Sequence, residues 1–210
     1  MLLRVSLALL ALLAVQVAQA QTFDASELQP GDVLLQPLDC WSCTLIEEEE
    51  SSIYSHAGMV LETAPEIRVI EALGIVREIS LEAFAARTQQ EQKIRVLRLR
   101  DPRLQAEFIR SAGRLRQIYR SEFHGLPYDH QFLWDNRTAQ GIEPIYCAEL
   151  VAKLHARFLG VLMPLKRMHF DRNVEEWKKY FHGEPPRGEW GLSPGDLERS
   201  SLFVTVGELN

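Results

Sequence analysis

The sequence has a shortage of positive charge, few cysteines and, beyond its first residues, no long apolar segment. It carries 23 Lys and Arg against 29 Asp and Glu, which gives a formal net charge of −6. A negative charge opposes binding to nucleic acid and to anionic membrane surfaces. We therefore expect no nucleic-acid partner. Once the N-terminal segment is removed, we also expect no integral membrane segment, since spanning a bilayer takes about 20 apolar residues.

The chain does contain enough apolar sequence for one folded domain. Apolar residues make up 46% of its 210 residues, and a domain of this size buries roughly 70% of the surface of the extended chain. No internal repeat or low-complexity linker divides the sequence. We predict a single domain over residues 21–210.

The N-terminal segment has the pattern of a signal peptide. Arg4 precedes an apolar run over residues 5–17, and Ala18-Gln19-Ala20 follows with the small-x-small pattern of a cleavage site. The run is too short to span a bilayer. We predict that residues 1–20 are removed and that the protein is periplasmic or secreted. The alternative is a buried helix of the mature domain.

The three cysteines divide into a close pair and a single residue. Cys40 and Cys43 can pair in an oxidising compartment, which leaves Cys147 as the candidate free thiol. The pair has two other interpretations: a thiol redox motif, which usually opens a helix after a strand in a βαβ unit, and a zinc site with His56, which lacks an evident fourth ligand. Because residues 37–55 show no clear helix, we favour a structural or lid disulfide, and we expect no metal or cofactor.

Hydrophobic periodicity predicts an α+β fold with a small antiparallel sheet packed against helices. The predicted strands cover residues 33–35, 56–61, 67–73, 75–79, 93–99 and 202–206. Ser80 is predicted to cap a short helix through Arg87, and Asp101-Pro102 to start a helix that ends near Phe123. A further helix is predicted from Cys147 to about Phe158.

Two segments are predicted to lack regular structure. Residues 37–55 hold the cysteine pair and the acidic run at 47–50, which we expect to be a solvated loop. Residues 183–195 are rich in Gly and Pro and are predicted to cross the surface.

Cys147 lies in the first turn of its predicted helix. The positive end of the helix dipole stabilises a thiolate there, and a thiolate is the nucleophilic form of cysteine. The unpaired N–H groups of the same turn are able to bind an oxyanion. The alternative for Cys147 is a buried structural cysteine.

His56 begins a strand of a predicted hairpin. If the hairpin is centred between Thr63 and Ala64, His56 lies directly opposite Glu71. Glu71 would then hold one ring nitrogen and leave the other for Cys147, which is the orienting role of a triad acid. A carboxylate within an apolar strand is unfavourable without such a partner. The alternative for His56 is a core histidine with satisfied nitrogens.

Five short motifs occur in an order that is typical of a known group of hydrolases. They are Gly31-Asp32-Val33-Leu34, Ser55-His56-Ala57-Gly58, Ile70-Glu71-Ala72, Pro127-Tyr128-Asp129 and Tyr146-Cys147-Ala148-Glu149-Leu150-Val151. Together they resemble the permuted papain-like cysteine hydrolases of the NlpC superfamily, the YiiX/YaeF-like group, in which the histidine strand precedes the cysteine helix. The resemblance runs from Gly31 to about Val151, with a weaker match at residues 193–197, and implies a permuted papain-like (NlpC-type) fold.

The resemblance also implies residue roles. Cys147 matches the nucleophile, His56 the base and Glu71 the third polar residue. Tyr128 matches a tyrosine whose hydroxyl lies near the oxyanion hole, although it could be a core tyrosine instead. The implied activity is amide hydrolysis through an acyl-enzyme on Cys147, without a cofactor. With the export signal, this suggests a peptide or cell-wall fragment as substrate.

Three other functions stay open at this point. A lipid acyltransferase or lipase on the same fold is one, although the Asn-Cys-Glu-His-Phe motif of the lecithin retinol acyltransferase relatives is absent. A non-catalytic envelope binding module and a thiol oxidoreductase at Cys40 and Cys43 are the others. Two departures from the family pattern matter: Ala148 stands where Ser is common, and residues 37–55 form a longer insert that affects substrate shape.

Overall fold

A six-stranded antiparallel sheet forms the centre of the fold. The structure is a computed structural model and describes residues 23–210. The sheet order is β4-β3-β2-β1-β5-β8, and β6 and β7 form a separate two-stranded ribbon. The strands are β1 (Val33–Gln36), β2 (His56–Glu62), β3 (Arg68–Leu73), β4 (Ile75–Ser80), β5 (Ile94–Leu99), β6 (Lys166–Arg167), β7 (Trp190–Gly191) and β8 (Phe203–Leu209).

Helices cover both faces of this sheet. They are α1 (Trp41–Glu50), α2 (Leu81–Ala85), α3 (Pro102–Arg110), α4 (Ala112–Ile118), α5 (Cys147–Leu159), α6 (Val174–Phe181) and α7 (Pro194–Arg199). The predicted signal peptide lies outside the described residues. Between residues 23 and 210, no helix has both the length and the apolar character of a membrane span.

The two faces of β2 belong to different cores, as expected from the two-residue period of a strand. Ala57, Met59 and Leu61 pack in the larger core with α5. Val60 on the opposite face belongs to a smaller core that includes Phe84 of α2. The sheet is thus covered on both sides. The start of β2, at His56, lies close to the N-terminus of α5.

The prediction that residues 37–55 lack regular structure is wrong, because this segment contains the ten-residue helix α1. The prediction that the acidic run at 47–50 is a solvated loop is also wrong. Glu47 accepts hydrogen bonds from Ser55 and Gln89, and Glu49 accepts from backbone N–H groups at residues 171 and 172. Buried Glu50 pairs with Lys166 and Arg199. The helix is stabilised by partners far away in the sequence, which local pattern does not show.

The helix predicted from Asp101 to Phe123 is broken into three parts. Asp101 caps α3 as expected, but the helix is interrupted at Ser111 and continues as α4 and a π-helical turn over Tyr119–Phe123. The Ser111 hydroxyl donates to Glu107 at 2.6 Å, and Gly113 follows. Side-chain hydrogen bonds of serine and the backbone freedom of glycine both weaken a helix locally.

The Gly/Pro-rich segment at 183–195 crosses the surface only in its first part. Residues 191–195 are buried, and Ser193 and Asp196 form a capping box that starts α7. This end of the segment packs against the same cavity as Cys147. The weak motif match at 193–197 therefore falls on a wall of the site.

The predicted β2–β3 register is wrong by two residues. Glu71 lies opposite Gly58, not His56, because the observed pairs are centred one residue further along the chain than predicted. On its other side β2 pairs with β1, where His56 lies opposite Gln36. His56 and Glu71 are consequently diagonal neighbours on one face, still within reach of long side chains.

Gly58 must lack a side chain for this face to close. A Cβ atom at this position would lie 2.8 Å from both Phe84 Cε2 and Val69 Cγ1. We expect Gly58→Ala to lower the free energy of unfolding by about 1–3 kcal/mol through overpacking. Urea denaturation measures this change.

The matched control is Gly113→Ala, because nothing lies within 4 Å of a Cβ at Gly113. This change should be neutral or raise the free energy of unfolding by up to about 1 kcal/mol, since Gly is unfavourable within a helix. Equal stabilities for the two variants would contradict the close packing at Gly58.

Candidate active site

Cys147 is the first residue of α5 and the only free cysteine among residues 23–210. It is 4% exposed and lines a cavity of about 410 Å³, open mouth included. The side chain of Tyr146, the N-cap residue of α5, makes no capping hydrogen bond. The N–H groups of the first turn, which starts at Cys147, therefore lack the usual N-cap partner.

The His56 ring lies beside Cys147 and is 2% exposed. Burial by itself lowers the pKa of His56. Hydrogen bonding and charge from Cys147 and Glu71 outweigh burial and raise the pKa to about 9. The ring is thus charged at neutral pH, and an imidazolium next to a thiol favours the thiolate.

Glu71 holds the other side of the imidazole. Its Oε2 lies 2.7 Å from His56 Nε2, so Nδ1 is the nitrogen left to face Cys147. Glu71 is fully buried. Burial raises the pKa of this carboxyl, but hydrogen bonds from His56 and Arg87 outweigh it and lower the pKa to about 2. The carboxylate therefore stays ionised and keeps the ring in one orientation.

Two arginines that the sequence analysis did not single out complete the charge pairing of Glu71. Arg77 Nε donates to Oε1 at 3.0 Å, and Arg87 Nη2 donates to Oε2 at 2.7 Å. Arg77 lies directly opposite Glu71 in the β3–β4 hairpin, whose turn is at Gly74. The hairpin symmetry about Gly74 could have predicted Arg77. Arg87 follows α2, and no local pattern relates it to Glu71.

Phe84 fixes the remaining face of the imidazole. The two rings stack with centroids 5.7 Å apart and an interplanar angle of 29°. Phe84 is fully buried in α2, and the Arg87 guanidinium lies 5.4 Å from its ring centroid. The histidine is thus positioned by packing as well as by charge.

Tyr128 lies in the same cavity as Cys147. Burial and the charge of Cys147 raise the pKa of its phenol well above the usual value, so the hydroxyl keeps its proton and is able to donate. Asp129, next to it, accepts from the backbone N–H groups of Gln131 and Leu133 and so orders the following turn. The structure thus brings all four predicted site residues together.

Tyr180 is a further phenol near the thiol that sequence analysis missed. Burial, with the charges of Asp129 and Cys147, raises the pKa of Tyr180 to about 12. Its ring stacks on Phe132, with centroids 5.5 Å apart. Tyr180 belongs to α6, for which no motif was recognised.

The cavity in front of Cys147 is mainly apolar. Its walls come from α1, the loop before α5, α6 and the segment leading into α7. The apolar side chains are Ile46, Phe132, Met168, Phe170, Trp177 and Leu192. Such a lining suits an apolar part of a ligand next to the reacting bond.

Three carboxylates form a cluster near the start of α5. Asp135, Glu143 and Glu149 lie close enough together to ligate a cation. Lys153 Nζ already forms an ion pair with each of them, at 2.7 Å from Asp135 and 2.8 Å from Glu149. The ammonium of Lys153 thus occupies the position between the three carboxylates that a metal ion would take, so these residues do not fit a metal site.

Residues 27–200 match the family described as "Permuted papain-like amidase enzyme, YaeF/YiiX, C92 family". The chain belongs to this family. The C92 match spans the histidine strand, the cysteine helix and the start of α7, and at family level it makes the protein a cysteine-dependent hydrolase with a papain-like fold.

A solved structure shares this fold. The crystal structure of metalloprotein YiiX from Escherichia coli O157:H7 superposes with a TM-score of 0.68 at 24% identity. The match covers 87% of this chain and 98% of YiiX. No curated protein matches the sequence.

The raised pKa of His56 predicts how Cys147 reacts with iodoacetamide. Because that pKa is about 9, the ring is protonated at pH 6.5 and supports the thiolate. The unmodified protein should be alkylated rapidly at pH 6–7. His56→Ala should react more slowly over this range, because it lacks the imidazolium beside the thiol. Mass spectrometry over a pH series measures both rates.

His169→Ala is the control, because the His169 side chain is exposed and does not line the cavity, although its neighbours Met168 and Phe170 do. It should keep the unmodified pH profile. Identical profiles for the His56 variant and the unmodified protein would show that His56 does not activate Cys147.

Proposed function

We propose that this protein is an exported cysteine amidase that cleaves a peptide of the cell envelope through an acyl-enzyme on Cys147. The observation that carries the proposal is the continuous chain of contacts from Cys147 through His56 to buried Glu71. A nucleophile, a base and an orienting acid in this arrangement are the parts that acyl transfer needs.

In the first step, the Cys147 thiolate attacks the carbonyl carbon of the scissile amide. The developing oxyanion accepts hydrogen bonds from N–H groups of the first turn of α5 and from the Tyr128 hydroxyl. His56, protonated at neutral pH, gives its proton to the leaving amine. The amine departs, and the acyl group remains bound to sulfur as a thioester.

In the second step, neutral His56 removes a proton from a water molecule, which attacks the thioester carbonyl. Collapse of the tetrahedral intermediate releases the carboxylic acid and returns the Cys147 thiolate with protonated His56. Glu71 keeps the ring in place throughout, because two arginines and the ring itself hold its carboxylate.

The cavity supports a substrate with an apolar group on the acyl side. Met168, Phe170 and Leu192 line it beside Cys147. Glu50 also reaches the cavity, but Lys166 and Arg199 already balance its charge. The selectivity of such a site comes mainly from burial of apolar surface, with few directed polar contacts.

The same lining favours a second candidate, hydrolysis or transfer of a lipid acyl group. A fatty acyl chain is an apolar acyl group, and the thioester chemistry at Cys147 would be unchanged. The proposed reaction needs no metal in either case. Although the E. coli relative is described as a metalloprotein, the three carboxylates near α5 already form ion pairs with Lys153.

Export is part of the proposal, since it depends on the signal-like pattern of residues 1–20. Expressed in a Gram-negative host, the protein should be recovered from the periplasm or medium with Gln21 as its first residue. N-terminal sequencing of each fraction measures this. A protein that stays in the cytoplasm with its first 20 residues would contradict export but leave the hydrolase unaffected.

Product analysis distinguishes the two substrates. Purified protein is incubated with peptidoglycan stem peptides and, separately, with phospholipid vesicles, and products are identified by mass spectrometry. We expect new amine and carboxyl ends from the peptides. Release of fatty acid alone would overturn the peptide proposal in favour of the lipid one.

Two variants test the roles of the residues. Cys147→Ala should abolish turnover, and His56→Ala should lower kcat/KM by about 10²–10⁴-fold, the usual contribution of general acid–base catalysis. His169→Ala serves again as control and should keep full turnover. Turnover that survives Cys147→Ala would exclude an acyl-enzyme on this residue.

A further inference from the structure

The disulfide between Cys40 and Cys43 lies outside the hydrolytic machinery. The sequence argument against a redox function was the lack of a helix after the pair. The structure removes that argument: β1 ends at Gln36, and Cys40 is the N-cap of α1. A Cys-x-x-Cys pair that opens a helix after a strand is typical of thiol–disulfide exchange motifs, although β1 and β2 on either side of α1 are antiparallel here and do not form a βαβ unit.

The two sulfur atoms differ in exposure. Cys40 is exposed, whereas Cys43 is only 4% exposed and packs beneath the first turn of α1. Exchange begins when a thiolate attacks one sulfur of a disulfide and the other leaves. An external thiolate is therefore able to reach Cys40, and Cys43 is the leaving group.

The start of α1 also favours a thiolate on Cys40 once the bond is open. The Cys43 N–H donates to Cys40 Sγ at 3.1 Å, and the Ser42 hydroxyl lies 3.4 Å from the same sulfur. The first turn of α1 contains no acidic side chain. A helix N-terminus stabilises a thiolate, which makes it a better leaving group from a mixed disulfide.

The exposed side chain beside this sulfur points to a protein as the reacting partner. Trp41 follows Cys40 and, at 52% exposed, is the most exposed of the four tryptophans. Tryptophan is enriched where protein surfaces meet, because one ring buries a large apolar area. A peptide segment carrying cysteines is able to cover Trp41 while its thiolate approaches Cys40.

We propose that the Cys40–Cys43 disulfide is a second reactive centre, which oxidises a cysteine pair of another polypeptide. One substrate thiolate attacks Cys40 Sγ, the Cys40–Cys43 bond breaks, and its electron pair leaves with Cys43. The second substrate thiolate then attacks the substrate sulfur of the mixed disulfide and releases Cys40. The substrate dithiol loses two electrons and two protons, and Cys40 and Cys43 end as thiols.

The reacting sulfur atoms of this centre are distinct from those of the hydrolytic one, although the Trp41 ring lies 6.4 Å from the ring of Tyr180. Cys40 is at the N-terminal end of α1, whereas Ile46, Glu49 and Glu50 near the other end line the cavity of Cys147. The exchange reaction uses neither Cys147 nor His56. The test is therefore carried out in a Cys147→Ala background, which removes the third thiol and keeps the result independent of the hydrolase proposal.

The direct test uses the unmutated disulfide. The oxidised Cys147→Ala protein is mixed with one equivalent of a reduced synthetic peptide that contains two cysteines and an apolar residue between them. We expect stoichiometric transfer, seen by mass spectrometry as two hydrogens lost by the peptide and gained by the protein. A pair that stays oxidised while free peptide dithiol persists would overturn the proposal.

A trapping experiment tests the asymmetry of the two sulfurs. Cys43→Ser leaves Cys40 free and should accumulate a mixed disulfide with the oxidised peptide. Cys40→Ser leaves only the buried thiol and should react at least about tenfold more slowly, because exchange follows access and thiolate character. Equal rates would contradict Cys40 as the attacked sulfur. The unmutated disulfide decides the proposal even if one variant fails to fold.

The double variant Cys40→Ser, Cys43→Ser separates exchange from stapling. The bond closes a very short loop, so it constrains the unfolded chain little, and the melting temperature should be nearly unchanged. A double variant that does not fold, together with an unmutated pair that does not exchange, would establish a structural staple instead.

Discussion

The buried carboxylate of Glu71 is the constraint on which much of the structure depends. A fully buried charge is unfavourable unless it is paired and hydrogen-bonded. Glu71 meets this requirement through His56, Arg77 and Arg87, which come from three different parts of the chain. The β2–β3 and β3–β4 pairings and the short helix α2 all have to form before the carboxylate is satisfied. The same contacts fix the His56 ring in front of Cys147.

Glycine at position 58 makes this arrangement sterically feasible. Glu71 lies opposite Gly58 in the sheet but bonds to His56 two residues away. With no side chain at Gly58, the Phe84 ring is able to approach the sheet and stack on the imidazole. The hairpin symmetry predicts a direct pairing of His56 with Glu71 instead. In the observed diagonal contact, the imidazole of His56 lies between the Glu71 carboxylate and the Phe84 ring.

The insert before His56, residues 37–55, has a structural role that its composition does not predict. Four consecutive glutamates would be expected to repel one another in a solvated loop. In α1 each finds a partner elsewhere, including Ser55 next to His56, Asn173 before α6 and Arg199 in α7. The insert thereby connects the histidine strand to the walls of the cavity. One helix carries both a wall of the hydrolytic site and, at its other end, an exposed disulfide.

The sequence by itself determined the parts of the protein that local pattern specifies. These are β1 to β5, β8, the caps at Ser80 and Asp101, the helix that starts at Cys147 and, through the motif order, the family. It also predicted that His56 and Glu71 meet, although in the wrong register. The tertiary structure alone decided the helix α1, the contact of Arg87 with Glu71 and the apolar cavity, because each depends on side chains from segments far apart in sequence. The periodicity and the caps of one segment contain no information about side chains of distant segments that come near only in the folded chain.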